Sequence, residues 1–144
     1  LAEVMLDQRV MCGVGNVYRC EVLWATELSP FARVGDLSEH DAIRLANTAA
    51  TMLRANLHRS ARVTAPGTRN GHAVYGRNGQ RCGRCGETVS SQQVGRHRRT
   101  LYWCPGCQVH LDPVREQSLD DTPMDPHPAA AKFLAELPWR REVS

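Results

Sequence analysis

The stretch "RCGRCGETVSSQQVGRHRRTLYWCPGC", residues 81–107, contains four of the chain's six cysteines. They form two C-x-x-C pairs, Cys82 with Cys85 and Cys104 with Cys107, and eighteen residues separate the pairs. This spacing is typical of a four-cysteine zinc site, because each tight turn presents two thiolates and two facing turns complete a tetrahedron. Four thiolates leave no position for water, so we expect one structural zinc ion per chain rather than a catalytic metal.

The cysteines leave two other interpretations open, a pair of disulfides or a dithiol redox pair. Disulfides need an oxidising compartment, and no charged-then-apolar leader opens the sequence, which favours zinc. The two other cysteines, Cys12 and Cys20, lie on helical apolar patterns. We predict that they are reduced core residues, with a redox role as the alternative.

Basic residues are concentrated in the middle of the chain. The whole chain has a net charge of +3, but residues 58–99 contain nine arginines and a single acid, Glu87. Between Arg77 and Cys107 there are six arginines, so even a zinc centre with a charge of −2 leaves this module near +3. With Tyr102 and Trp103 beside them, these charges favour nucleic-acid binding over a merely solvated surface.

Hydrophobic periodicity predicts a mainly α fold, with helices near residues 1–11, near 17–24 and after an N-cap at Ser38. Acidic residues in the first turn, Glu39 and Asp41, support the third helix. Its predicted core stripe is Ile43, Ala46, Ala50, Leu53 and Leu57. No apolar run reaches the 18 residues of a membrane span.

The predicted organisation has four parts. A small helical domain covers residues 1–66, a linker covers 67–76, and a four-cysteine β-hairpin module with strand-like Thr88–Val89 and Leu101–Trp103 covers 77–110. We expect residues 111–144, which are acidic and rich in proline, to form a partly disordered tail.

"GVGNVY", residues 13–18, places a glycine turn directly before a predicted helix. The first amides of a helix lack internal partners and carry partial positive charge, and Gly13 and Gly15 would let a phosphate approach them. Asn16 can donate its side-chain amide to the same anion. By itself such a turn more often simply joins two helices. It indicates phosphate binding only when it is taken together with the cysteine module.

Taken together, these motifs resemble the formamidopyrimidine-DNA glycosylase/endonuclease VIII family. The resemblance covers residues 1–108 and is specific, because two independent motifs occur in the family's order and at its spacing. "YWCPGCQ", residues 102–108, is closer to the endonuclease VIII side. The matching parts are Leu6-Asp7-Gln8, Gly13-x-Gly15-Asn16-x-Tyr18, Glu21, Pro30, "VYGRNGQRCGRCG" and "RTLYWCPGCQ".

The resemblance implies a helix-two-turn-helix domain followed by a zinc finger, with DNA in a cleft against an N-terminal β-sandwich domain. It implies that Asn16 contacts a phosphate near the lesion. It also implies that Arg99, five residues before Cys104, contacts the phosphates flanking the extruded nucleotide. We expect Arg96 and Arg98 to add electrostatic affinity and the partner to be double-stranded DNA with a damaged base or abasic site, bound without strong sequence preference.

The family's catalytic group is an N-terminal proline, whereas this sequence begins at Leu1 and shows no sandwich domain. The chain is therefore interpreted as the DNA-binding half of a bifunctional DNA glycosylase and abasic-site lyase for damaged bases, which we expect to be oxidised ones. We expect no catalytic residue in this chain and no activity from it alone. We further expect a monomer in the bacterial cytoplasm, associated with the nucleoid and not with a membrane.

Two other classes of function stay open, a stand-alone zinc-ribbon module that binds nucleic acid and a protein-protein adaptor. Further residues carry lesser expectations. In the linker, Arg69, Asn70 and His72 could approach the DNA backbone. The expected packing residues are Trp24 and Tyr75 in the core and Tyr102 and Trp103 in the finger.

Overall fold

The computed structural model describes residues 1–59, 61–68 and 70–113. Its elements are α1 (Ala2–Met5), α2 (Asn16–Ala25), a 3-10 helix (Val34–Asp36), α3 (Glu39–Ala55), β1 (Ser90–Val94) and β2 (Arg99–Trp103). Three helices and a two-stranded sheet are linked by long turns, so the prediction of a mainly α fold is confirmed only in part. The predicted tail lies outside the described residues from position 114 onward, as does Arg69.

The helix predicted near residues 1–11 is wrong in its length, since α1 ends at Met5. Just after the end of α1, the Asp7 side chain forms hydrogen bonds with Arg9, two residues further along the chain. Its carboxylate accepts the backbone N–H of Arg9 at 2.9 Å and the Arg9 guanidinium at 2.7 Å. An aspartate that satisfies nearby backbone donors competes with helix formation, which apolar periodicity cannot reveal.

The start of α2 is fixed by the glycine turn before it. Gly13 has φ +87°, a left-handed conformation that favours glycine, and Gly15 is the N-cap. Gln8 braces this turn, because its Oε1 accepts from the Gly13 N–H and its Nε2 donates to the Val14 carbonyl, both at 2.9 Å. The resulting α2 is buried along almost its whole length.

The predicted cap of α3 is confirmed as a reciprocal capping box. The Asp41 N–H donates to Ser38 Oγ at 3.0 Å, and the Ser38 N–H donates to Asp41 Oδ2 at 3.2 Å. The predicted core stripe is wrong at Ile43 and Leu57, which are 51% and 69% exposed, whereas Leu53 is partly buried and packs against the core. The buried face consists of Asp41, Leu45, Ala49, Thr51 and Met52.

That error has a simple physical reason. Leu45, Ala49 and Met52 repeat with the same helical period as the predicted stripe, so both faces of α3 satisfy the pattern. Packing against α2 decides which face is buried, and this contact is a tertiary one.

The hairpin pairs antiparallel, with Ser90 opposite Trp103 and Val94 opposite Arg99. The strand predicted at Leu101–Trp103 is confirmed. Thr88 instead lies just before β1, in an isolated bridge to Arg81.

A single cluster of buried residues joins the helical part to the cysteine module. It contains Leu23 and Trp24 of α2, Met52 of α3, Leu101 of β2 and Cys104. The division into domains at residues 66 and 76 stays a prediction. Within the residues that the structure describes, no helix combines the length and apolar character needed to cross a membrane.

The segment predicted as a linker is held to α2 by Glu21, a carboxylate that is 1% exposed. Its oxygens accept the N–H of Ala73 at 2.5 Å, the N–H of Val74 at 3.0 Å and the hydroxyl of Thr64. His72 Nδ1 lies 2.8 Å from that hydroxyl oxygen. Three donors on one buried carboxylate anchor Thr64, Ala73 and Val74 beside the helix that begins at Asn16.

Candidate metal centre and nucleic-acid interface

The structure brings the four predicted ligands together, with all four sulfur atoms within 4.8 Å of one another. Cys82 Sγ lies 3.9 Å from Cys107 Sγ, and Cys85 Sγ lies 3.3 Å from Cys104 Sγ. Sulfurs bound tetrahedrally to zinc at about 2.3 Å would lie about 3.8 Å apart. The donor set therefore fits a metal of that size, whereas a disulfide would require a separation of about 2 Å.

Close packing of the thiols gives them unequal acidities. Hydrogen bonds from Cys104, and then from Cys107, lower the pKa of Cys82. Hydrogen bonds involving Cys104, and then Cys82, raise the pKa of Cys107. Four thiolates held this close together repel one another, and a bound cation would stabilise all of them.

Two glycines allow the two knuckles, Cys82–Cys85 and Cys104–Cys107, to face each other. Gly86 has φ +79° and follows the first knuckle. A Cβ on Gly106 would lie 2.8 Å from Glu87 Cβ and 3.0 Å from Cys85 Sγ. Gly106 therefore permits the close approach of the second knuckle to the first.

Helix α2 supports the cysteines through contacts that were not predicted from the sequence. Arg84 Nη2 donates to Cys107 Sγ at 2.9 Å and to the Trp24 carbonyl at 2.7 Å. The Trp24 indole N–H donates to Cys82 Sγ at 3.4 Å, so the expectation that Trp24 is a core residue is confirmed and extended. An arginine between two predicted ligands was the available sequence signal.

The burial of Arg84 lowers the number of exposed positive charges expected for the cysteine module. Arg84 is 3% exposed and faces sulfur, so its charge is not presented to solvent. Arg77 is also engaged internally, because it donates to the carbonyls of Ala73 and Arg81. Four arginines of the module stay exposed, namely Arg81 and the three at the hairpin, Arg96, Arg98 and Arg99.

The predicted DNA-contact residues come from two distant parts of the sequence and meet at one place. Asn16 Nδ2 donates to the Thr100 carbonyl at 2.8 Å, which joins the first turn of α2 to β2 next to Arg99. Arg19 Nη2 donates to Asn16 Oδ1 at 2.5 Å, so both ends of the Asn16 amide are oriented. Sequence reasoning did not find Arg19, and no pattern in its neighbourhood marks it.

Arg19 and Arg99 are close enough for their charges to interact. Burial lowers the pKa of the Arg19 guanidinium, and the positive charge of Arg99 lowers it further. Arg19 itself is 1% exposed, so the exposed cation beside the N-terminus of α2 is Arg99, and an anion would be favoured there.

A cavity of about 250 Å³ lies between α1 and the hairpin tip, residues 95–98. Arg19, Arg96 and Arg99 contribute positive charge to its walls, and Glu3 and Asp7 contribute negative charge. The Arg9 side chain holds the pKa of Asp7 down at about 2, which keeps that carboxylate ionised. The tip bends through Gly95 and Arg98, which have φ +78° and +47°.

The remaining aromatic and cysteine predictions have mixed outcomes. Tyr102 packs edge-on against Tyr75 at 5.2 Å, and Trp103 packs edge-on against Phe31 at 5.2 Å, so these rings brace the hairpin as expected. Burial raises the pKa of Cys20 to about 11, as suits a reduced core cysteine. Cys12 is exposed, and its prediction as a core residue is wrong, because α1 ends before reaching it.

Comparison with known proteins agrees with this geometry. Residues 1–66 match the family described as "Formamidopyrimidine-DNA glycosylase H2TH domain". The chain is 46% identical over 111 residues to "DNA-(apurinic or apyrimidinic site) lyase Nei2" of Mycolicibacterium smegmatis, covering 76% of this chain and 42% of that protein. It is 38% identical over 115 residues to "Formamidopyrimidine-DNA glycosylase" of Corynebacterium aurimucosum, covering 72% of this chain and 40% of that protein.

A solved structure shows the same likeness in three dimensions. The complex of Lactococcus lactis Fpg with DNA containing an abasic site superimposes with a TM-score of 0.62 at 29% identity, covering 72% of this chain and 40% of that one. The chain thus spans about two fifths of the length of the relatives that it matches.

Fold and site together define a helix-two-turn-helix protein with an attached four-cysteine module. The chain belongs to the formamidopyrimidine-DNA glycosylase/endonuclease VIII family, whose members named above are a DNA glycosylase and an abasic-site lyase.

Proposed function

We propose that this chain is the DNA-binding half of a base-excision-repair glycosylase and abasic-site lyase. The observation that carries the proposal is the hydrogen bond between Asn16 and the Thr100 carbonyl, 2.8 Å long, which unites the α2 N-terminus with the arginine hairpin. Phosphate oxygens would accept from the first amides of α2, from Asn16 and from Arg99. Arg96 and Arg98 add long-range attraction, while Gly13 and Gly15 leave room for the backbone.

The preferred partner is double-stranded DNA that opens easily at one position. Extruding a nucleotide costs a few kcal/mol, and the cost is lowest where a base is damaged or missing. A helix terminus and a rigid hairpin that hold neighbouring phosphates offset that cost without reading sequence. Selectivity would therefore follow the ease of opening rather than base identity.

Zinc is the metal we assign to the four cysteines, with one structural ion per chain. Its support is the sulfur geometry and the all-thiolate donor set, which suits zinc and leaves no open coordination position. Cys82 and Cys85 would hold it from one knuckle, and Cys104 and Cys107 from the other. The ion would stabilise the base of the hairpin that carries Arg99.

The chemistry is assigned to a part of the protein that corresponds to the unmatched portion of the relatives. The match covers 42% of the mycobacterial lyase. We infer that the remaining part of the full-length protein supplies the nucleophile for base removal. We also infer that the bases it removes are oxidised. This chain alone would then bind damaged DNA as a monomer without cleaving it. Its working place would be the bacterial cytoplasm, at the nucleoid.

The decisive experiment is equilibrium binding to a short duplex with a stable abasic-site analogue and to the same duplex intact. Tighter binding to the abasic duplex is expected. Arg99→Ala should weaken it and reduce the slope of log affinity against log salt by about 1, because one phosphate contact is lost. The matched control is Arg33→Ala, which removes an exposed arginine outside the finger.

Equal affinity of the Arg99→Ala and Arg33→Ala variants would refute the proposed interface. The inactivity of the chain alone is tested separately by borohydride reduction on abasic DNA. A covalent protein–DNA adduct would show that this chain contains its own nucleophile and would overturn that part of the proposal.

A further inference from the structure

Arg84 occupies an unusual position, inside the first knuckle between Cys82 and Cys85 and 3% exposed. Burial of an arginine is costly unless its charge and its donors are matched. Its Nη2 reaches the sulfur of Cys107 at 2.9 Å and the carbonyl of Trp24 at 2.7 Å. A single guanidinium thus connects the first knuckle, where it originates, with the second knuckle and with α2.

The guanidinium lies over the Trp24 side chain. The Arg84 Cζ atom is 4.0 Å from the centroid of the Trp24 ring, a distance at which the ring face attracts a cation. The same indole donates its N–H to Cys82 Sγ at 3.4 Å. One sulfur of each knuckle therefore receives a hydrogen bond from this stacked pair.

The negative charge that would balance Arg84 is only partly supplied by carboxylates. The nearest, on Glu27, lies 3.7 Å from Arg84 Nη1, and the Glu27 side chain is 24% exposed. Among the described residues, Arg84 Nε and Nη1 have no hydrogen-bond partner. Zinc with four thiolates carries a charge of −2. The positive guanidinium of Arg84 and this negative centre would therefore partly neutralise each other.

We propose that Arg84 is a positioning residue of the metal centre, which lowers the cost of burying four thiolates and joins that centre to α2 through Trp24. The proposal rests on the assignment of a metal to the four cysteines. Removal of the guanidinium leaves an uncompensated tetrathiolate, so zinc affinity falls. Loss of a hydrogen-bonding group around bound metal typically weakens metal binding about 10- to 100-fold.

The test is competitive zinc titration of purified protein against a chromophoric chelator of known affinity, without DNA. Arg84→Met keeps much of the side-chain volume and removes the charge, and Arg84→Lys keeps the charge but not the flat fork. Arg81→Met and Arg81→Lys are the matched controls, since Arg81 is exposed on the same segment and each pair changes net charge equally. We expect zinc binding about 10- to 100-fold weaker in Arg84→Met, with a smaller loss in Arg84→Lys.

Zinc affinity of Arg84→Met equal to that of Arg81→Met would overturn the proposal. If Arg84→Met does not fold, Arg84→Lys is compared with Arg81→Lys instead. Weaker zinc binding by Arg84→Lys supports the role of Arg84, and equal zinc affinity of the two variants refutes it. The unmodified chain is measured first. Failure of that chain to bind stoichiometric zinc would refute the metal site itself. Unchanged zinc affinity in every variant would refute only the positioning role of Arg84.

Discussion

Asn16 donates its side-chain amide to the carbonyl of Thr100, 84 positions away in the sequence, at 2.8 Å. This hydrogen bond fixes the N-terminus of α2 against the hairpin strand that begins at Arg99. Because the Asn16 amide has two hydrogens, it can hold the hairpin with one and present the other to a phosphate. The two motifs recognised separately in the sequence therefore act as one surface.

Asn16→Asp is expected to weaken binding to abasic duplex about 10-fold. The carboxylate keeps the shape and can still accept from Arg19, but it cannot donate to Thr100 and it repels phosphate. Fluorescence anisotropy with labelled duplex measures the effect. Asn47→Ala, at an exposed position on α3, is the control and should bind like the unmodified chain.

Glu21→Gln is expected to lower the free energy of unfolding by about 1–3 kcal/mol. Glutamine offers one acceptor oxygen in place of two. Its NH₂ group would face the N–H of Ala73 or Val74, and that buried N–H would lose its acceptor. Urea denaturation followed by circular dichroism measures the change. Glu39→Gln, at an exposed position in the first turn of α3, should lose much less stability, and equal losses would contradict this role for Glu21.

Gly106→Ala is expected to destabilise the zinc-loaded protein by about 1–3 kcal/mol, because the new methyl group overlaps Glu87 and the Cys85 sulfur. Gly83→Ala in the first knuckle is the control, since nothing lies within 4 Å of its added Cβ. Thermal unfolding at saturating zinc and zinc content by mass spectrometry report the difference. An unchanged melting temperature for Gly106→Ala would show that the two knuckles are farther apart than described.

Stability should depend on pH through Asp41, which lies 3.1 Å from His110 Nε2 and caps α3 through Ser38. Burial alone would raise the pKa of Asp41, but hydrogen bonds from Ser38 and His110 outweigh it and lower the pKa below 3.8. The folded state therefore binds this proton less tightly than the unfolded state. Its contribution is complete above the ordinary carboxyl pKa and is lost as the pH falls through the lowered value.

Asp41→Asn removes that contribution, so the gap in stability between the unmodified chain and the variant should narrow as the pH falls below about 4. Denaturation at a series of pH values measures the gap. Asp36→Asn, at an exposed position in the 3-10 helix, serves as the matched carboxylate control. A gap that stays constant down to about pH 3 would contradict the lowered pKa.

Local chemistry made several features predictable. The cysteine spacing predicted that Cys82, Cys85, Cys104 and Cys107 would cluster, because a C-x-x-C turn brings its own sulfurs together with little help from the rest of the chain. Ser38 was recognisable as a cap, since capping involves only neighbouring residues. The glycine turn at Gly13 was visible for the same reason.

The sequence by itself determined the two cysteine pairs, the helix cap, the position of the arginine-rich hairpin and the family resemblance, all of which depend on residues close together in the chain. Only the tertiary structure decided which face of α3 is buried, that Arg84 faces sulfur, and that Asn16 meets Thr100. Packing chooses between faces with equal periodicity, and burial decides whether an arginine charge is exposed. Those outcomes depend on residues that meet only when the chain folds.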